Sequence, residues 1–278
     1  MLALGAALAA CSALKLAYNN LPEVGYWWLD GYVDFDDAQT PRVREELRQL
    51  LAWHRRDELP KIADLLQQAQ ALAPADLTPD QACVLFDALR LRLLALAERA
   101  EPAGTALALS LSESQLEQIA RKYEKTNDKY KKDWLDRPPA QQREKRYDQF
   151  LDRSEDFYGR LDTGQRDLLR QQFERSAFDP RAFDAERKER QQEVLTLLRR
   201  FSVEKTSPAQ ARSAIQAYVA RIAVPPPGPL RDRQQAAQQE SCRTVAALHN
   251  RTSDAQRQKA VRRLRAYEDD LRQLAEAS

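Results

Sequence analysis

Glycine is scarce in this chain, with seven residues in 278, and so are histidine (two), cysteine (three) and methionine (one). Valine and isoleucine are also few, which argues against a sheet protein, because β-branched residues fill pleated surfaces. Charge of one sign is lacking too. The chain has 44 basic and 42 acidic residues, a net charge of +2, although 31% of it is charged. A nucleic-acid surface needs a one-signed patch. The densest basic run, Arg121, Lys122, Lys125, Lys129, Lys131 and Lys132, is interleaved with Glu124, Asp128 and Asp133. It reads as a helix exterior, and no nucleic-acid partner is expected.

Signatures of chemistry are missing as well. The sequence contains no Gly-x-Ser-x-Gly, P-loop or dinucleotide fingerprint, and Gly159 and Gly164 are too isolated to cradle a phosphate. His54 and His249 have no partner at ligand spacing, so neither a metal nor another cofactor is expected. Carboxylate pairs do occur, at Asp36-Asp37, Glu45-Glu46 and Asp269-Asp270. A glycan hydrolase would need two such groups in a cleft. On amphipathic helices rich in acids they are expected to be solvated. Trp53-His54-Arg55-Arg56-Asp57-Glu58 is dense in functional side chains. A helix turn with a buried Trp and an ion-paired exterior accounts for it. No catalytic residue is assigned, and the chain is expected not to be an enzyme.

What is abundant is helix former: Ala, Leu, Gln, Glu and Arg. The fourteen prolines fall between apolar-periodic segments. The expected fold is all-α, with about nine helices in a multi-helix bundle or stacked hairpins, each burying one apolar face. Thr40-Pro41 is expected to cap a helix carrying Val43, Leu47, Leu50 and Leu51, and Pro60 to kink or break it. The next helix is expected over Pro79 to Glu101. Residues 225–229, rich in proline, form a stiff linker between a main domain (37–224) and a C-terminal helical hairpin (230–278).

Five segments place Ser, Thr or Asp three residues before Gln, beginning at Thr78, Ser112, Asp162, Ser207 and Ser253. This is the capping box: the first side chain accepts from the third helical N–H, and the glutamine reaches back to the cap's own N–H. Leu77, Leu111 and Leu161 stand where a hydrophobic staple would.

The first ten residues are apolar, small and uncharged, and too short for the about 20 residues that span a bilayer. They look like the apolar part of a secretory leader. Leu8-Ala9-Ala10-Cys11 resembles the lipobox of bacterial lipoproteins, in which the cysteine thiolate takes a diacylglyceryl group. The basic residue such a leader begins with is missing, which is explained if the true start lies upstream. Cys11 is the expected lipidation site, and Ser12 after it implies passage to the outer membrane. In the oxidising periplasm a disulfide between Cys83 and Cys242 is allowed. Two buried free thiols are the alternative.

Six aromatics lie between Tyr18 and Phe35: Tyr18, Tyr26, Trp27, Trp28, Tyr32 and Phe35. They either cap the helical core or rest in a membrane headgroup belt, and the core reading is the safer. This string, followed by Trp53-His54-Arg55 and Glu58-Leu59-Pro60, resembles an uncharacterised proteobacterial lipoprotein family, a domain of unknown function. That resemblance implies a lipoprotein over nearly the whole mature chain and supplies no activity. The capping-box form is similar to the Leu-Thr-x-x-Gln repeat of small periplasmic stress chaperones. That likeness implies a helical binder of unfolded clients, although plain capping accounts for the form.

The expected function is therefore a non-enzymatic lipoprotein on the periplasmic face of the outer membrane. It would hold the membrane through its lipid and offer helical grooves to an envelope protein, an unfolded client or peptidoglycan. A chaperone-like lipoprotein and an envelope hydrolase of unfamiliar type are the alternatives. Tyr18, Tyr26, Trp27, Trp28, Tyr32, Phe35, Trp53 and His54 form the expected contact or packing cluster.

Overall fold

The computed structural model describes residues 15–277, and every regular element among them is helical. A short turn over residues 15–19 leads into α1 (Leu21–Val33). Then come α2 (Gln39–Trp53), α3 (Leu59–Leu72), α4 (Pro79–Ser110), α5 (Glu113–Tyr130), α6 (Pro139–Tyr158) and α7 (Thr163–Glu174). The chain ends with α8 (Pro180–Val203), α9 (Pro208–Ala223), α10 (Pro229–His249) and α11 (Asp254–Glu276). Because α2 runs into α3 through a π-helical turn at His54–Glu58, the described residues hold ten continuous rods of seven or more residues rather than nine.

The five expected capping boxes all form, at Thr78, Ser112, Asp162, Ser207 and Ser253. Leu77, Leu111 and Leu161 beside them are buried. A sixth box was hidden in Asp36-Asp37-Ala38-Gln39. The Asp36 side chain accepts from Gln39 N at 2.7 Å, and Gln39 Oε1 accepts from Asp36 N at 3.2 Å. Thr40 therefore does not cap α2; its Oγ1 bonds the Tyr26 hydroxyl at 3.0 Å instead.

Of the two proline expectations, the break at Pro60 and the stop at Glu101 are corrected, although the α-helical ladder is interrupted at His54–Glu58 just before Pro60. Pro60 neither breaks nor ends the rod. The π turn before it carries a bond from Leu59 N to His54 O, so the ladder is already re-registered where proline lacks a donor. Helix α4 does not stop at Glu101 but continues through Pro102 to Ser110. An interior proline costs about 3 kcal/mol. Tertiary contacts offset that here. Buried Glu101 accepts from Thr105 Oγ1 (2.8 Å), Arg212 Nε (2.8 Å) and Gln216 Nε2 (3.1 Å), which ties α4 to α9 across the proline.

Helix α4 is the spine. Helix α10 covers its first half and α9 its second, while α2, α3 and α8 touch it from other sides. Past residues 225–229 the chain returns, with α10 on α4 and α7, and α11 along α3 and α6. The core is divided into local clusters. Val33, Leu116, Ile119 and Leu195 join α1, α5 and α8. Tyr147, Leu169, Phe173 and Leu248 join α6, α7 and α10. Tyr18, Leu59 and Leu274 tie the chain start to α3 and α11.

Helix starts are also joined in pairs by their capping glutamines. Gln165 Nε2 donates to Gln256 Oε1 at 2.7 Å, and Gln256 Nε2 returns a bond to Gln165 Oε1 at 3.0 Å. Gln115 Nε2 donates to Gln39 Oε1 at 2.6 Å, and Gln39 Nε2 returns one at 3.3 Å. Each oxygen accepts its own cap N–H as well. The start of α7 is thereby locked to that of α11, and the start of α5 to that of α2.

Candidate functional site

Helix α1 begins beside Pro22, whose fixed φ suits a first turn. It ends at Asp34, which takes a left-handed conformation (φ 60°) and bonds Asp30 O. Both faces of this helix are apolar, and only one is covered. Tyr26 and Val33 are buried on the inner face. The Arg44 guanidinium lies 3.9 Å over the Tyr26 ring. Tyr32 packs on Tyr123 with ring centres 6.1 Å apart, and Phe35 lies against the same core cluster. On the outer face Trp27 is 64% exposed, Trp28 62%, Val24 59% and Leu21 46%. Leu16 is exposed just before them.

The aromatic string is thus split. Tyr18, Tyr26, Tyr32 and Phe35 serve the core. Trp27 and Trp28 do not, which corrects the core reading for those two. Among the described residues their only aromatic neighbours lie on α1 itself, Tyr26 for Trp27 at 5.3 Å and Tyr32 for Trp28 at 5.0 Å, and Arg44 of α2 lies 5.6 Å from the Trp27 ring. Solitary exposed apolar residues are ordinary; here four, two of them tryptophans, are exposed together on one short helix.

The Trp53–Glu58 run is tied into the helix packing. The half-buried His54 Nδ1 and the Tyr18 hydroxyl share a 2.7 Å hydrogen bond. Burial pushes the Tyr18 phenol up to about 12, against the pull of the nearby Arg55. Burial lowers the His54 pKa, with Glu58 opposing it. Phenol and imidazole are therefore both held in their neutral forms. Glu58, expected on an ion-paired exterior, is 1% exposed and bonded by Lys61 at 2.6 Å and Arg92 at 3.3 Å. These contacts fasten the chain start and α4 to the π turn.

His249 is also enclosed. Its Nε2 donates to Ala75 O at 2.8 Å, and its Nδ1 accepts from Tyr158 at 2.9 Å. Burial lowers its pKa, while the bond to Ala75 opposes that. Cys83 on α4 and Cys242 on α10 are joined as a disulfide, with Cα atoms 5.3 Å apart. Asp36 caps α2, Glu45 bonds Arg48, and Asp270 is buried 3.8 Å from Lys15. Three surface cavities each have a single carboxylate in their lining, Glu46, Glu186 or Asp254. Among the described residues no group of three or more His, Cys, Asp or Glu is placed to hold a metal ion. No helix among them is long and apolar enough to cross a membrane. Cys11, the lipobox and the leader lie outside the described residues.

No curated protein and no solved structure matches this chain. A family does match, over a shorter stretch than the sequence resemblance implied. It leaves out most of the aromatic string, from Tyr18 to Asp30, and everything after Arg212. The match runs from the last turn of α1 through the first turn of α9, over residues 31–212, and the chain belongs to that family, the family of unknown function DUF6279.

Proposed function

We propose that the protein is an acylated envelope lipoprotein that acts by binding, held on the periplasmic face of the outer membrane by Cys11 and by the outer face of α1. The observation that carries this is the exposed Leu21, Val24, Trp27 and Trp28 surface, which begins ten residues after the lipobox cysteine. Tryptophan favours the membrane–water interface, where its ring is buried and its N–H stays wet. One acyl chain holds a protein only marginally, and stable attachment takes further chains or a second contact. An amphipathic face placed just after the anchor supplies such a contact. Ser12 supports sorting to the outer membrane.

Two measurements test this. Cells fed labelled palmitate should label the wild-type chain and not Cys11→Ala; equal labelling refutes the anchor. On phosphatidylglycerol vesicles the Cys11→Ala chain should show a blue-shifted tryptophan emission that Trp27→Ala with Trp28→Ala abolishes. A shift that survives the double substitution removes the membrane face.

A second reading rests on α4, where Leu89, Leu91 and Leu93 are exposed between the α10 contacts at Cys83 and Asp87 and the α9 contact at Glu101. Such a surface suits unfolded clients, as in a chaperone-like lipoprotein. Suppression of aggregation of a denatured client at several-fold excess, lost on Leu89→Ser with Leu93→Ser, would favour it. Lack of protection by the wild type would remove it.

A further inference from the structure

We propose that the groove between α2 and α4 binds the hydrocarbon chain of a single-chain anionic amphiphile. The two helices run antiparallel and meet where Gln39 Nε2 donates to Ser110 O at 3.2 Å. Beyond that contact they enclose a cavity of about 270 Å³. One wall carries Val43, Leu47 and Leu50; the facing wall carries Ala100, Ala103 and Gly104. A Cβ added to Gly104 would meet nothing within 4 Å, so the wall lacks side-chain mass where a packed helix pair would have it. Space lined by apolar groups forfeits packing energy until something fills it. An added helix does not fit, because its diameter with side chains is about 10 Å. An extended alkyl chain does.

The mouth sets the sign of the head group. Arg42, Glu46 and Arg99 are its charged lining, with Arg42 toward the Gln39–Ser110 contact and Arg99 toward the far end. Arg42 and Arg99 are exposed and make no ion pair, hydrogen bond or ring contact among the described residues. Two free guanidinium forks against one carboxylate leave donors suited to a carboxylate or phosphate head.

This site is independent of the acyl anchor, so it is testable on the full-length Cys11→Ser chain, which needs no detergent. Calorimetric titration with decanoate below its micellar concentration should give saturable, one-to-one binding. Decanol should bind more weakly, by roughly three- to ten-fold, the worth of one or two exposed charge contacts. Arg42→Gln with Arg99→Gln should erase that preference. Gly104→Leu should weaken both ligands by at least about ten-fold by filling the wall, while its urea midpoint stays equal or rises, because leucine is the better helix former. No saturable heat from decanoate, equal binding of decanol by the wild type, or unchanged binding by Gly104→Leu would each overturn the proposal.

Discussion

Replacing Gln165 by Glu separates two jobs that one motif combines. At the third position of a capping box a glutamate serves as well as a glutamine, and near a helix N-terminus its charge is favourable by about 0.3–1 kcal/mol. Capping alone therefore predicts a neutral or stabilising change. Here the Gln165 amide also donates to Gln256 Oε1 at 2.7 Å and to Arg251 O at 2.8 Å, from a site 3% exposed. A carboxylate cannot donate, and would set an anionic oxygen against two acceptors. Losing two net bonds of about 1 kcal/mol each, and leaving an acceptor unsatisfied for about 1–3 kcal/mol, gives roughly 3–5 kcal/mol of destabilisation near neutral pH. Protonation restores one donor. The introduced carboxyl should thus titrate higher in the folded than in the unfolded state. The deficit relative to wild type is then largest above the folded pKa and shrinks as pH falls through it. Urea denaturation followed by far-UV circular dichroism, repeated across acidic and neutral pH, measures this. Gln81 and Gln210 are internal controls: each caps its own helix through Oε1, and among the described residues neither makes a hydrogen bond through Nε2. Gln81→Glu and Gln210→Glu should stay within about 0.5 kcal/mol of wild type. If Gln165→Glu matched them, the paired amides would contribute nothing beyond capping.

Three other outcomes follow from the geometry. The Cys83–Cys242 bridge closes a loop with a sequence separation of 159. Loop entropy puts its loss at up to about 5 kcal/mol, so Cys83→Ser should lower the denaturation midpoint, and dithiothreitol should lower the wild-type midpoint alike. A midpoint indifferent to both would show that the thiols are not joined. Leu169, with 0% exposure in the α6–α7–α10 cluster, should cost about 3–5 kcal/mol as Leu169→Ala by calorimetry. A loss below about 1 kcal/mol would mean that this cluster closes over the void. His54 and His249 both have lowered folded pKa values. The unfolded chain then binds more protons once pH drops below about 6.5, and stability falls with acidification from there. His249→Gln should flatten that slope between about pH 7 and 5, and an unaltered slope would exclude His249 as a contributor.

Much of the fold is legible because helix starts are local events. A Ser, Thr or Asp and a glutamine three residues on suffice to place them, and every such box expected from the sequence forms. Helix ends and continuations are less local. Pro102 reads as a stop until Arg212 and Gln216, more than a hundred residues away, hold Glu101 beside it. The pairing of boxes is equally hidden. Each glutamine satisfies its own cap with one oxygen, and nothing in a four-residue motif says where its amide nitrogen goes. The aromatic segment shows a third limit. At 100° per residue, Tyr26 and Val33 fall on one face of α1, and Leu21, Val24 and Trp28 on another. Periodicity separates the faces, yet both are apolar, so it cannot say which one turns inward. That choice is made at Tyr26, to which Thr40 and Arg44 on α2 offer a hydroxyl and a cation, while Tyr32, on the Leu21 and Trp28 side, meets the Tyr123 ring of α5 at the edge of the patch. Neither tryptophan has a partner for its N–H among the described residues. An indole donor left wet beside an apolar ring suits the boundary between water and hydrocarbon better than a closed core. For this reason the membrane reading rests on Trp27 and Trp28 and not on the whole string.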